Sequence, residues 1–144
     1  MELRLREALE PDQIRHLLEF IGYGRLKAPI WFIGMEESLG PRQGFIGWTP
    51  EAELLIRSQW PPVMDVKEAH TQLKDHYWKR RKYSQVWKST AQVARGLLEN
   101  AEDWGDTTKA HEYVVEQLGR SFGQTLLGDA MPLPVAGMSH WPYG

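Results

Sequence analysis

One stretch decides the fold: residues 28–40, with the sequence APIWFIGMEESLG. Residues 30–33 are apolar on both faces, which is typical of a strand that helices cover on both sides. The following segment, residues 34–40, is predicted to be a turn that carries two adjacent carboxylates and ends at a glycine. Because open α/β sheets bind ligands at the carboxyl ends of their strands, the sequence predicts a functional site at this turn.

The composition is that of an ordinary globular domain. The chain has 144 residues, 42% of them hydrophobic and 25% charged, with a net charge of -2. That charge argues against a general electrostatic grip on nucleic acid, although it leaves room for a local basic patch. Cysteine is absent, which excludes disulfides, thiolate nucleophiles and cysteine-held metal clusters. No apolar run approaches the ~20 residues that cross a bilayer, and the first ten residues lack a signal-peptide core. We therefore expect a cytoplasmic protein.

Apolar residues at helical spacing predict most of the secondary structure. A first helix begins at Pro11 and is expected to end at Gly22 and Gly24. Further helices are predicted at residues 50–57, capped by Thr49, after the capping residue Asp65, and at residues 83–99 and 107–118. The positions expected to face the core are Ile14, Leu17, Leu18 and Ile21 in the first helix, Val66, Ala69, Leu73 and Tyr77 in the third, Val86, Trp87, Ala91, Ala94, Leu97 and Leu98 in the fourth, and Ala110, Val114, Val115 and Leu118 in the last.

Few strands are apparent in the sequence. Besides residues 29–34, only residues 125–133 have a strand pattern, and Pro132 and Pro134 limit its pairing in a sheet interior. Because two strands do not make a stable open sheet, either further strands lie within segments predicted as helix or the chain is part of a longer domain. We expect the amino-terminal part of a larger fold. The predicted class is helix-rich α/β, a three-layer α/β/α arrangement with a parallel-type sheet. Residues 1–144 are then a single domain or the first part of one.

Glu36 and Glu37 are the first candidates for chemistry. Two carboxylates after a buried strand are suited to holding a water or a substrate hydroxyl, since each charge shifts the pKa of the other. Adjacent side chains point in different directions, so one active glutamate is the simpler expectation. A solvated or helix-capping loop explains the pair equally well.

A glycine-rich segment follows, with two aromatic residues in it. Gly44 and Gly47 flank Phe45, whose ring face is suited to stacking on a flat ligand, and Trp48 comes next. Packing of these rings onto the core is the competing interpretation. The glycines do not match the phosphate-binding loops of nucleoside triphosphatases or dinucleotide enzymes, so no cofactor is indicated.

One basic cluster occurs, KRRK at residues 79–82 between Tyr77, Trp78 and Tyr83. Cations beside aromatic rings are typical of sites for single-stranded nucleic acid, and a solvated junction between helices is the alternative. The histidines do not have the spacing of a zinc pair, because His70 and His76 are six residues apart. No metal site is predicted.

Three segments together resemble a known family. The strand at residues 30–34 with its acidic turn, the glycine–aromatic stretch at residues 44–47, and the segment MPLP at residues 131–134 resemble the uracil-DNA glycosylase superfamily, in particular a bacterial branch of it. The resemblance implies that Glu36 or Glu37 positions water and that Gly34, Met35 and Gly40 line a base pocket. It further implies that Phe45 stacks on a base turned out of the helix, while a loop containing Pro134 and His140 flanks the pocket.

The function implied by this resemblance is the recognition or excision of a base in DNA. The expected partner is single-stranded or damaged DNA, with no metal or cofactor. We expect that the chain as given, if it is only part of the fold, does not complete the reaction alone. Two alternatives stay open: a non-catalytic module that binds a nucleotide or small polar ligand, and a helical domain that binds another protein.

Overall fold

Helices and a small sheet make up the chain. The computed structural model describes residues 9–38, 41–42, 44–81 and 83–135. The helices are α1 (Pro11–Glu19), α2 (Pro50–Arg57), α3 (Val66–Gln72), α4 (Gln85–Leu98) and α5 (Thr107–Glu116), with a 3-10 turn at Tyr77–Lys79. The strands are β1 (Gly22–Gly24), β2 (Ile30–Ser38), β3 (Val63–Met64) and β4 (Thr125–Val135). The predicted α/β class is confirmed.

The sheet is mixed rather than wholly parallel. Its strands lie in the order β2-β4-β1-β3. β2 runs parallel to β4, with Ile30 opposite Thr125 and Gly34 opposite Asp129. β1 runs parallel to β3 but antiparallel to β4. The sequence predicted only β2 and β4, because β1 and β3 are too short to show a periodic pattern.

The segment predicted to end the first helix is in fact strand β1. Gly22 and Gly24 have φ of 154° and 118°, in the region that favours glycine. A Cβ on Gly22 would lie 2.0 Å from the Leu127 carbonyl oxygen, and one on Gly24 would lie 2.2 Å from that of Thr125. The two glycines therefore let β1 approach β4 closely, a demand that arises from a strand one hundred residues away.

The turn predicted to begin at Gly34 is also wrong, because β2 continues to Ser38. Its pairing with β4 becomes irregular between Glu36 and Ser38, which lie opposite Met131 and Val135. That part of β4 contains two prolines and extends past the end of β1, so one side of it has no partner among the described strands. Proline is tolerated at such an edge because it donates no ladder hydrogen bond.

β2 is covered on one face only. Phe32 packs against the main core, whereas Trp31 and Ile33 are 49% and 59% exposed. The prediction of a strand buried on both faces was therefore wrong. β2 is an edge strand of the described sheet, and edge strands have fewer neighbours to cover them.

The helices begin where the sequence predicts, except that α4, predicted from residue 83, begins at Gln85. The Thr49 hydroxyl accepts a hydrogen bond from the Ala52 amide at the start of α2. The Asp65 carboxylate caps α3 by accepting from the Lys67 and Glu68 amides. In α1 the capping side chain belongs to Glu10. Caps of this kind satisfy amide groups that the first helical turn leaves unpaired.

The main core lies between the sheet and helices α3, α4 and α5. Ala69, Ala91, Ala110 and Val114 are fully buried there, and a smaller cluster joins Leu17 and Leu54 to β4. Some expected core positions are instead exposed, and they are Leu18, Ile21, Val86 and Leu97. Conversely, Arg95, predicted on the solvent side of α4, is buried and donates to the Asp103 carbonyl and carboxylate.

None of the described helices has both the length and the apolar character that spanning a membrane requires.

Candidate functional site

A cleft of about 500 Å³ opens where β4 extends past β1. Gly34 of β2 and Gly128 and Asp129 of β4 form its floor. A Cβ on Gly34 would lie 2.6 Å from an oxygen of the Asp129 carboxylate. Glycine at position 34 therefore leaves room for that carboxylate, which faces Gly34 across the two paired strands. The opposite wall comes from the end of α3, the 3-10 turn and the start of α4.

His70 and Asp75 form a hydrogen-bonded pair in this wall. His70 lies in α3, and the chain turns at Lys74, which has a φ of 56°, to bring Asp75 back beneath it. The His70 Nδ1 atom is 3.3 Å from Asp75 Oδ2. Arg80 also donates to Asp75, and Arg42 Nη1 lies 3.4 Å from it. An ionised carboxylate only accepts, so Nδ1 of His70 carries the proton of this bond.

Burial would raise the pKa of Asp75, but the hydrogen bond and charge of His70 and the charge of Arg80 hold it below its usual range. Asp75 is therefore ionised at neutral pH. A carboxylate that accepts from one nitrogen of an imidazole fixes the orientation of the ring and therefore the direction in which the other nitrogen points. This is the arrangement by which proteins prepare a histidine to bind or move a proton.

Behind the cleft lies a network around Glu53. Its carboxylate accepts from Arg57 at 2.7 Å, from Arg42 at 2.9 Å and from the Trp48 indole at 2.7 Å. Burial would raise the pKa of Glu53, yet the bond from Arg42 and the charges of Arg57 and Arg42 lower it. Arg42 contacts both Glu53 and Asp75, so it ties the His70–Asp75 pair to helix α2.

Aromatic rings surround His70. Its ring centroid lies 4.9 Å from that of Tyr77 and 5.8 Å from that of Trp87, both in edge-on geometry. Tyr83 stacks nearly parallel on Trp87, with 11° between the planes. Tyr77, Tyr83 and Trp87 all line the cleft. The cleft thus combines flat apolar surfaces with a few charged groups, which is the usual character of a small-molecule site.

Two polar atoms in this wall lack partners. His70 Nε2 and the Tyr77 hydroxyl are buried and have no hydrogen bond within the described part of the chain. Burial raises the pKa of Tyr77 above its usual range, so the hydroxyl keeps its proton and remains a donor. An unmatched buried polar group costs about 1–3 kcal/mol. Each of these two unpartnered atoms therefore requires an explanation. A bound ligand that supplies the missing hydrogen-bond partner is one such explanation.

The residues predicted from the sequence are spread over several places. Gly34 lies in the cleft. Met35, Glu36 and Glu37 follow it in β2 and Pro134 lies in β4, but their side chains fall outside the described part of the structure. Gly40 and His140 lie outside the described residues altogether.

Phe45 does not line the cleft. It lies in a separate hollow of about 290 Å³ with Gly44, Ile46 and Ile56. The indole of Trp48, its neighbour in the sequence, donates to Glu53. Trp48 is thus held by the Glu53 network, and no described contact brings Phe45 to the same ligand as Gly34.

The basic cluster at residues 79–82 is divided rather than uniformly solvated. Arg80 points to Asp75 and lines the cleft, whereas Arg81 lines a neighbouring groove. Tyr77, beside the cluster, is buried. Lys82 lies outside the described residues.

Four residues of the cleft were not predicted from the sequence: Arg42, His70, Asp75 and Asp129. His70 and Asp75 were not recognised because they are five residues apart across a helix end, which is not a spacing that places two residues on one helix face. A detectable signal was nonetheless present, since Asp75 is an isolated carboxylate between a helix and a basic cluster. Asp129 depends on the register of β4 against β2, which no local pattern encodes.

Among the described residues, no group of three or more His, Asp or Glu side chains is placed to hold a metal ion. Comparisons of the chain with models of known protein families, with curated proteins and with solved structures found no match.

Proposed function

We propose that this chain recognises a nucleobase and that the base binds in the cleft between Gly34 and His70. The observation that carries the proposal is the pair of unpartnered buried atoms, His70 Nε2 and the Tyr77 hydroxyl. The Tyr77 hydroxyl donates, and His70 Nε2 accepts from the ligand when the imidazole is neutral. Nucleobases present donors and acceptors side by side on one edge, and they are read in such pockets by hydrogen bonds and stacking.

The surroundings of these atoms support the same ligand. Tyr83 and Trp87 supply flat faces, and stacking on aromatic rings contributes about 1–3 kcal/mol per base. Arg80 and Asp129 supply charge at the edge of the cleft. The resemblance of the segments at residues 30–34, 44–47 and 131–134 to uracil-DNA glycosylases points to uracil as the base and to DNA as its source. Within this proposal the protein is cytoplasmic.

Base excision is the catalytic form of the proposal. Glu36 and Glu37 would position the attacking water, as the resemblance implies, and the oriented His70 would stabilise or accept charge as the glycosidic bond breaks. The alternative is a module that binds the base without releasing it. The same features of the cleft support this binding module, and binding alone requires no reactive water.

Binding is tested first, with uridine as the probe and tryptophan fluorescence as the signal. Tyr77→Phe removes the hydroxyl and keeps the ring. We expect uridine affinity to fall about fivefold, the effect of one hydrogen bond, while the free protein becomes no less stable, because an unmatched buried donor has been removed. The matched control is Tyr113→Phe in the core away from the cleft, which leaves affinity unchanged. Equal affinity of Tyr77→Phe and the unaltered protein would refute the proposed binding mode.

Excision is tested by counting abasic sites in a uracil-containing single strand after incubation with the protein. Release that disappears in the double variant Glu36→Ala/Glu37→Ala supports the enzyme. Uridine binding without release supports the binding module and rules out the enzyme under those conditions.

A further inference from the structure

A second hollow lies beside the cleft, on the other side of Tyr83. It has a volume of about 440 Å³ and is formed by the segment before α4, by α4 itself and by α5. We call it the basic groove. Its polar lining residues are Arg81, Tyr83, Lys88, Thr107, Thr108 and His111.

The basic groove differs from the cleft in its charge. Among the residues that the structure describes, no carboxylate lines it, and neither Arg81 nor Lys88 has an ion-pair partner. In the cleft, by contrast, Arg42 and Arg80 are both bound to carboxylates. The basic groove therefore offers uncompensated positive charge together with threonine hydroxyls, and these groups commonly bind phosphate oxygens.

Tyr83 is the wall between the two sites. It is the one described residue that lines both the cleft and the basic groove. Its ring stacks on Trp87 on the cleft side and lies 4.5 Å from the ring of His111 on the groove side. Its hydroxyl donates to the carbonyl of Tyr77, so Tyr83 is anchored to the residue whose own hydroxyl is unmatched.

We infer that the basic groove binds a backbone phosphate next to the base held in the cleft, so that the ligand is a single polynucleotide strand rather than a free base. The inference rests on the proposed function for the occupant of the cleft. An aromatic platform beside a row of cations is the general design of single-strand sites, where bases stack and the backbone follows the charge. Tyr83 would separate the base from its phosphate.

The test compares two probes that differ in phosphate content. One is uridine, which has none, and the other is a labelled single-stranded deoxyoligonucleotide with one uracil. The variant is Arg81→Gln/Lys88→Gln, with Arg81→Gln alone as a milder change at an exposed position. The control is Arg25→Gln/Lys27→Gln, which removes the same charge from exposed positions outside both sites.

In the groove variant we expect about tenfold weaker binding of the oligonucleotide at low salt, with unchanged uridine binding. The slope of log affinity against log salt should become shallower by about 0.7, the value for the one phosphate that the protein no longer neutralises. The control should retain both the affinity and the slope. An equal weakening in the variant and the control would overturn the inference, because only net charge would then matter.

The two proposals fail in different ways. If uridine binds and the oligonucleotide binds no more tightly, the basic groove is not a phosphate site and the base proposal stands. If uridine does not bind but the oligonucleotide binds and depends on Arg81 and Lys88, the basic groove stands and the cleft does not hold the base.

Discussion

Glu53 and Asp103 each hold two basic side chains, the first inside the fold and the second on its surface. Glu53 binds Arg42 and Arg57 and is completely buried. Asp103 binds Arg95 and Lys109 and is 43% exposed. In both cases the basic partners lower the pKa of the carboxyl group, but for Glu53 they do so against a large opposing effect of burial.

The difference shows where charge fixes structure. In a buried network the attraction is strong, and removing one member leaves its partners uncompensated. On the surface, water and salt screen the same contacts. The Glu53 network also reaches the candidate site, because Arg42 bonds to Asp75 and Asp75 to His70. The Asp103 cluster only ties the end of α4 to the start of α5.

Glu53→Gln is expected to have the largest effect. It removes the buried negative charge that Arg42 and Arg57 share, although Arg42 keeps its contact with Asp75. Breaking such a network costs about 3–5 kcal/mol. The free energy of unfolding, measured in urea, should fall by that amount. Glu51→Gln, an exposed change in the same first turn of α2, is the control and should stay close to the unaltered protein. A decrease below about 1 kcal/mol for Glu53→Gln would mean that the buried network behaves like a surface pair.

Acidification is expected to have the second-largest effect, a decrease in the free energy of unfolding. Glu53 and Asp75 have lowered pKa values when folded, so the unfolded chain binds more protons as the pH falls. Their stabilising contribution is complete above their usual values of 4.5 and 3.8 and is lost below them. Each unit by which a pKa is lowered corresponds to about 1.4 kcal/mol.

The measurement is urea unfolding between neutral pH and about pH 3, repeated in about 1 M salt, where the Debye length is about 3 Å. Buried pairs are screened little, so the decline in stability should persist in salt. A decline that salt abolishes would assign it to surface carboxylates such as Asp103.

Arg42→Gln should have an intermediate effect on stability and a clear one on binding. Glu53 keeps Arg57 and Trp48 as partners, so the cost is that of one charged hydrogen-bonding group, about 1–3 kcal/mol. Asp75 loses its tie to α2, and uridine affinity should fall about fivefold because the His70–Asp75 pair is less firmly held. Arg25→Gln is the control for charge. Unchanged uridine affinity in Arg42→Gln would show that the Glu53 network does not influence ligand binding in the cleft.

Local features could be predicted from the sequence, and long-range ones could not. Thr49 and Asp65 were recognised as caps because a cap acts within three residues. Gly22 and Gly24 were assigned to a helix end because their actual partners, Thr125 and Leu127, lie about one hundred residues away. Arg95 was placed facing solvent because its polarity gives no hint of the Asp103 carbonyl that it reaches.

The candidate site shows the same limit. The predicted residue Gly34 does lie in the cleft, since the end of an apolar run is a local signal. The groups that meet it come from α3, the 3-10 turn and β4, and their convergence depends on how distant segments pack. The resemblance implied that Phe45 shares a base pocket with Gly34, yet Phe45 lines another hollow.

Asp103→Asn is expected to have the smallest effect. Lys109 is exposed, and water solvates its ammonium group when Asp103 loses its charge. Arg95 is buried, but it keeps the carbonyl of residue 103 at 3.0 Å and the Glu99 carboxylate at 3.5 Å. The urea midpoint should therefore match that of the exposed control Glu102→Gln at physiological salt. A destabilisation as large as that of Arg42→Gln would contradict this expectation. It would show that burial of Arg95 alone makes the ion pair essential. The difference in stability between the Glu53 and Asp103 networks would then depend on burial of the cation rather than on burial of the carboxylate.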